Sequence, residues 1–487
     1  MYLGIDIGTS AVKAVILDEH GAIAAESKVP LSLSRPRDLW SEQDPADWWS
    51  ATNQAVVGLP AAQRRRIKGI GLTGQMHGAT LLDDKDQALR PAILWNDGRS
   101  GTECAELVER EPDSVGITGN LVMPGFTAPK LLWVRKHEPE VWQRIRTVLL
   151  PKDYVRLRMT GDKATDLSDA SGTLWVDVAA RRWSGAMLEA TGLAESAMPA
   201  LHEGTSATGV LRRELAEAWG MERVAVAAGA GDNAASAVGI GIVNPGDALL
   251  SLGTSGVLFV ATERFSPNPN SAVHAFCHCL PERWHQMAVM LSAASCVDWV
   301  AKLTGFADVP SLYAALEADG RTGTDEIFLP YLSGERTPHN DPHAKGVFFG
   351  LTPNTDRIAL ALSVLDGVAL GLADGLAALR EAGTVIDTIS VVGGGARSLY
   401  WGRILAAALN RRLVYRSGGE VGPAAGAARL GRLAVTGESP DAVCTAPPIT
   451  QIVEPDSLMA ERLAAKRNKA GRLYAGVKNL FKETQDA

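Results

Sequence analysis

One repeat constrains this chain more than any other feature. The octet Ile5-Asp6-Ile7-Gly8-Thr9-Ser10-Ala11-Val12 returns as Leu250-Ser251-Leu252-Gly253-Thr254-Ser255-Gly256-Val257, with Gly, Thr, Ser and Val in the same order. The copies lie half a chain apart in a sequence of 487 residues, too far for a short-period solenoid and suited to a duplicated domain; chance recurrence of a turn-friendly triplet is the alternative. Around the first copy, residues 2–8, 12–17 and 22–30 alternate apolar and polar or small side chains between tight turns, which predicts three antiparallel strands. Helical stretches at 46–57 and 128–144 interleave with strand-like runs at 67–72 and 223–228, an α/β pattern. Val243-Asn244-Pro245-Gly246-Asp247 carries the breaker residues that end one domain and open the next, dividing the chain into 1–245 and 246–487.

Composition narrows the partners. A net charge of −7 without a basic run speaks against nucleic acid and against an anionic membrane surface. No stretch reaches ~18 consecutive apolar residues, and the opening MYLGIDIGTS lacks the basic and apolar regions of a signal peptide. Five scattered cysteines fit reduced thiols rather than a disulfide framework, so the cytoplasm is the expected compartment and small molecules the expected partners.

Five segments carry residues suited to chemistry. The turns Gly8-Thr9-Ser10 and Gly253-Thr254-Ser255 offer successive backbone N–H groups and hydroxyls to an anion, and two such turns at duplicated positions can grip one polyphosphate from both sides. Asp6, before the first turn, is placed to hold a divalent cation through water, and Lys13, after it, to neutralise a transferring phosphoryl group. Val392-Gly393-Gly394-Gly395-Ala396-Arg397-Ser398 follows a strand and precedes a helix; it is either a packing turn or a place for close ligand approach, and Ser398 departs from the dinucleotide fingerprint. In Ala228-Gly229-Ala230-Gly231-Asp232-Asn233, Asp232 is either a helix N-cap or a carboxylate able to take a proton from an attacking hydroxyl. Gly74-Gln75-Met76-His77-Gly78 is a turn whose His and Met are either packing residues or the polar contact and apolar wall of a polyhydroxy ligand, with Trp95-Asn96-Asp97 adding stacking. The segment from His274 to His285 is rich in metal-ligand types, but its C-x-C spacing and alternation predict a strand instead of a zinc site. The loop 332–339 is expected to line a cleft at most, and the last thirty or so residues to form a helix with a basic, solvated face.

Taken together, DIGTSAVK, AGAGDNAA, LSLGTSG, YLSGERTP and VVGGGARSLYW, with Gly125 to His137, resemble the FGGY family of carbohydrate kinases over nearly the whole chain. The resemblance implies two ribonuclease-H-like domains of the actin and hexokinase superfamily flanking a deep cleft, with ATP and Mg²⁺ as cofactors. It implies that Asp232 is the catalytic base and Asp6 the magnesium-associated acid, and that Gly8, Thr9, Ser10, Lys13, Gly253, Thr254, Ser255, Gly394, Gly395 and Ala396 face the nucleotide. LWSEQDP, GQMHGATLLD and ILWNDGRS resemble the branch of the family that phosphorylates D-xylulose. On that likeness Gln75, Met76, His77, Trp95, Asp232 and Asn233 contact the sugar, and a homodimer is the implied assembly. Another ketose or polyol such as ribulose is the alternative substrate, and an actin-like nucleotide switch without a sugar site the alternative class.

Overall fold

The computed structural model describes residues 1–417 and 422–483. Two seven-stranded mixed sheets organise the molecule. The first runs Ala207–Val210, Ala225–Ala227, Gly69–Gly74, Tyr2–Ile7, Ala11–Leu17, Ile23–Pro30, with Ala230–Gly231 as a further parallel partner of Gly69–Gly74. The second runs His274–Cys277, Trp284–Met290, Gly256–Thr262, Ala248–Leu252, Thr388–Val392, Arg412–Arg416, Ile449–Val453. Both follow one plan. An antiparallel arm carries the repeated octet, two parallel strands extend the sheet beyond it, and an antiparallel strand closes the far edge. The duplication read from eight residues is therefore a duplication of topology.

The octet strands sit centrally because both of their faces are covered. Leu3, Ile5 and Ile7 are fully buried in a cluster with Trp48 and Tyr154. On the opposite face the side chain is missing by necessity: a Cβ on Gly4 would lie 1.8 Å from the carbonyl oxygen of Ala424, and one on Gly71 1.8 Å from that of Ala427. The helix Gly422–Thr436 lies flat across these glycines, so a segment from late in the chain covers the first sheet. In turn Ala237 and Ile240, at the end of the helix Asp232–Gly239, pack with Leu249, Phe259 and Met287 of the second sheet. The two helices cross where a Cβ on Gly426 would strike the Ala235 carbonyl. Each half of the chain thus completes the core of the other.

Three local expectations change. The helix predicted over 128–144 is two helices, Thr127–His137 and Pro139–Arg144, because Pro139 has no N–H to give and pushes Glu138 out of the helical conformation, to φ −134 and ψ 59. Asp232 is not the N-cap of its helix; Gly231 occupies that position, and Asp232 lies in the first turn. The terminal helix Ser457–Val477 does not present a simply solvated basic face. Lys466 is buried and reaches Asp366 at 2.7 Å, Arg462 joins the same carboxylate at 3.1 Å, and Arg467 pairs with Asp374 at 2.6 Å. Both acids belong to the helix Arg357–Glu381, which is long and apolar enough to cross a membrane by composition, yet 78% of its apolar window is buried inside the protein. It is the central helix of the second core.

Candidate active site

Strand register brings the first set of site residues together. Ile7 pairs with Gly74 and Gly74 with Gly231, so the carboxyl ends of three parallel strands stop side by side. The residues that follow, Gly8-Thr9, Gln75-Met76 and Asp232, therefore share one rim, the usual place for a ligand on such a sheet. The second sheet repeats the arrangement: Ser251 pairs with Val392, setting Gly253 beside Gly393 and Gly394.

Asp6 and Asp232 face each other across the first rim. Burial, followed by the negative charge of Asp232, pushes the Asp6 carboxyl up to about 8, with Lys13 opposing. Burial also raises Asp232 to about 6 against the hydrogen bonds from Asn233, whose backbone N–H and Nδ2 both donate to Asp232 Oδ1, at 2.8 and 2.9 Å. Asn233 thus holds the carboxylate. A carboxyl near 6 is ionised at neutral pH and still basic enough to take a proton. Asp6 Oδ1 is buried without a hydrogen-bond partner. Two facing carboxylates with an unsatisfied oxygen form a donor set that fits a hard divalent cation. Lys13, directly opposite Asp6 in the hairpin, pairs with Glu26 at 3.1 Å.

The first turn is tied to the turn Gly74-Gln75-Met76-His77-Gly78 by its own side chains. Thr9 Oγ1 donates to Gln75 Oε1 and accepts from Trp95 Nε1, each at 3.0 Å, while Gln75 Nε2 donates to Gln43 Oε1 and Gln43 Nε2 donates to the Thr9 carbonyl. Gln75 and the Trp95 indole N–H are therefore engaged in orienting the turn, and the Thr9 hydroxyl is occupied; Ser10 stays exposed. Met76 is a buried wedge: a Cβ on Gly231 would sit 3.0 Å from its sulfur, and one on Gly172 2.9 Å from its methyl group. His77 adopts a left-handed backbone conformation, φ 68. Its Nδ1 lies 2.6 Å from the Gly172 carbonyl, which accepts, so the proton is on Nδ1 and the Nε2 lone pair remains an acceptor. Burial drives this imidazole down to about 3, leaving it neutral and matched to a hydroxyl donor.

Of the residues expected to face a nucleotide, Gly253, Thr254, Gly394 and Gly395 border a cavity of about 770 Å³, lined also by Leu252, Trp401, Tyr313 and Pro310, whereas Ser255 and Ala396 do not line it. Gly394 has open space where a side chain would be, whereas a Cβ on Gly395 would collide with Leu252 and Trp401. Ala396 packs against the core behind the turn. The volume and the mostly apolar wall suit a purine nucleoside.

Sequence reasoning passed over a charged layer beneath Asp232. Lys152 is fully buried and meets Asp153 at 2.6 Å, Asp166 at 2.9 Å and Asp169 at 3.4 Å. Burial pulls the lysine down and the three acids outweigh it, while burial leaves Asp153 and Asp169 raised. Asp166 caps the helix Leu167–Ser171, whose Ser168 Oγ accepts from the Gly231 N–H at 3.1 Å. The adjacent PKDY and TDLSD segments carried the signal, as acids beside a lysine in otherwise buried positions. The 274–285 segment spans two antiparallel strands, His274–Cys277 and the start of Trp284–Met290, where one was expected, and its histidines meet rings: His274 stacks on Phe276 and His285 on Phe259. In the loop 332–339, Glu335 accepts the Leu291 N–H, and Arg336 approaches His274 Nε2 at 3.1 Å.

Comparison with known proteins agrees with this plan. The model of the FGGY family of carbohydrate kinases, N-terminal domain, matches residues 1–239, and that of the C-terminal domain residues 248–435. A xylulose kinase of Escherichia coli K12 is 54% identical over 476 residues, covering 97% of this chain and 98% of its own. A crystal structure of a xyloylose kinase from Brucella ovis superposes with a TM-score of 0.95 at 50% identity, covering 98% of this chain and 99% of that one. A xylulose kinase structure from Rhodospirillum rubrum gives 0.91 at 30% identity, with 99% of both chains covered. With both domain models matched in order on two sheets of one topology, the chain belongs to the FGGY family of carbohydrate kinases.

Proposed function

We infer that the protein transfers the γ-phosphoryl group of ATP to D-xylulose, yielding D-xylulose 5-phosphate and ADP. The observation that carries this reading is the shared rim on which a basic carboxylate, Asp232, stands beside the Met76-His77 turn, in a chain 54% identical to a xylulose kinase. The C5 hydroxyl oxygen attacks the γ-phosphorus in line, the bond from that phosphorus to the bridging oxygen breaks, ADP leaves, and the hydroxyl proton passes to Asp232. His77 Nε2 accepts from a sugar hydroxyl and Met76 forms the apolar wall. Lys13, released from Glu26, offsets charge on the transferring group. Asp6 would hold Mg²⁺ through water, and the ion would supply screening of the phosphate charges.

In this reading residues 1–245 hold the sugar and 246–487 the nucleotide, with the crossing helices as the joint between them. A homodimer is the assembly we propose, and the cytoplasm, favoured by five free thiols, the compartment. A coupled ADP-release assay over D-xylulose, D-ribulose, glycerol and gluconate tests the function. D-Xylulose should give the highest kcat/KM; a higher value with another acceptor moves the specificity, and no stimulation by any acceptor leaves a nucleotide switch.

A further inference from the structure

The segment Gly125 to His137 leads into and forms the helix Thr127–His137. Its geometry gives it a task. The helix Thr127–His137 begins beside the sugar-side turn, and two side chains of its first turn, both fully buried, donate to a single acceptor: Thr127 Oγ1 and Lys130 Nζ reach the His77 carbonyl at 3.1 and 2.9 Å. Lys130 makes a second bond, to the Gly125 carbonyl at 2.7 Å. The Phe126 ring meets the His77 imidazole edge-on, with centroids 4.8 Å apart.

A carbonyl that accepts from two fixed donors cannot swing, so the peptide between His77 and Gly78 is pinned and with it ψ of His77. This residue needs such a constraint because a side chain at φ 68 is strained. Lys130 is a costly choice for the purpose. Its hydrogen bonds go to carbonyls, and burial pushes its ammonium down to about 7. Asp97 offsets this burial only in part and Arg99 opposes it, so the buried ammonium is weak evidence for a purely stabilising role.

We infer that Lys130 and Thr127 form a clamp that holds His77 in its left-handed conformation, with the Nε2 lone pair open to the sugar, and that Lys130 is a positioning residue for sugar recognition. The inference rests on His77 being a sugar contact. No member of the clamp borders the nucleotide cavity, so its effect is confined to the acceptor.

A double-mutant cycle on the full-length enzyme tests it, with KM measured separately for D-xylulose and ATP. His77→Ala should raise the D-xylulose KM about tenfold or more, and Lys130→Met about fivefold, the worth of one ordinary hydrogen bond, with the ATP KM within about twofold of wild type. The double variant should be no worse than His77→Ala, because a residue acting through another adds nothing once that one is gone. Thr127→Val keeps the shape and removes one donor; it should raise the sugar KM about threefold and carries the test if Lys130→Met does not fold. A large effect of His77→Ala with none from Lys130→Met or Thr127→Val overturns the clamp alone, as does a double variant whose effects multiply. An unchanged sugar KM in His77→Ala overturns the sugar-site reading and the clamp with it.

Discussion

The two copies of the Gly-Thr-Ser hairpin share a sequence and differ in register. In the first, Ile7 pairs with Val12 and Gly8 N–H bonds the Ala11 carbonyl, which puts Lys13 opposite Asp6. In the second, Leu252 pairs with Gly256, the turn is one residue shorter, and Ser251 faces Val257. The copies also differ in what holds them. Side chains of Gln75, Trp95 and Gln43 tie the first turn to the acceptor rim, whereas backbone N–H groups of Ala293 and Ala294 bind the carbonyls of Thr254 and Gly253 in the second. A one-residue change in register thus separates a hairpin that manages charge from one that borders an apolar cavity. The same topology supports opposite electrostatics because the acids and Lys13 are confined to one copy.

The largest test of this contrast is Asp232→Ala, which should lower kcat by about 10²- to 10⁴-fold while the ATP KM, in the proposed reading a property of the other hairpin, stays near wild type. Near wild-type turnover would remove Asp232 as the base. Rewriting the first hairpin toward the second with Asp6→Ser should cost about 10²-fold in kcat, since it removes a preorganised charge at the transferring group. If Asp6→Ser turns over normally, the two hairpins are electrostatically equivalent. The pH profile comes next. With Asp232 raised to about 6, its basic form is present above that value and lost below it, so kcat/KM should fall about tenfold per pH unit below 6. A limb near 4 would mean an unshifted carboxylate. The smallest effect belongs to the second copy: Ser251→Ala should change kcat less than about threefold, as expected of a neutral hydroxyl away from the acid pair.

Much of the site was legible because each of its motifs is compact along the chain, although the motifs themselves lie far apart. Asp6, Asp232 and the turn at 74–78 each stand where a strand ends, and the glycines around them signal a rim. Roles within the rim were harder to read. Asn233, Gln75 and Trp95 were expected to contact sugar, yet in the structure their side chains hold Asp232, Gln43 and Thr9, because hydrogen-bond partners are chosen in space and not along the chain. The break at Pro139 follows from a local rule, while the pairing of Lys466 with Asp366 joins helices separated by a hundred residues and leaves no local trace.

By itself the sequence determined that this chain is a duplicated α/β protein, with two Gly-Thr-Ser turns, acids beside strand ends and the marks of a carbohydrate kinase, because periodicity, glycine placement and motif order are written in neighbouring residues. The tertiary structure alone decided that each half covers the other's sheet through crossing helices, that the octets differ in register, that three carboxylates surround Lys152, and that Lys130 reaches the carbonyl of His77. Those outcomes depend on which backbones approach closely enough to exclude a Cβ or satisfy a buried donor, and such distances arise only when the whole chain is packed.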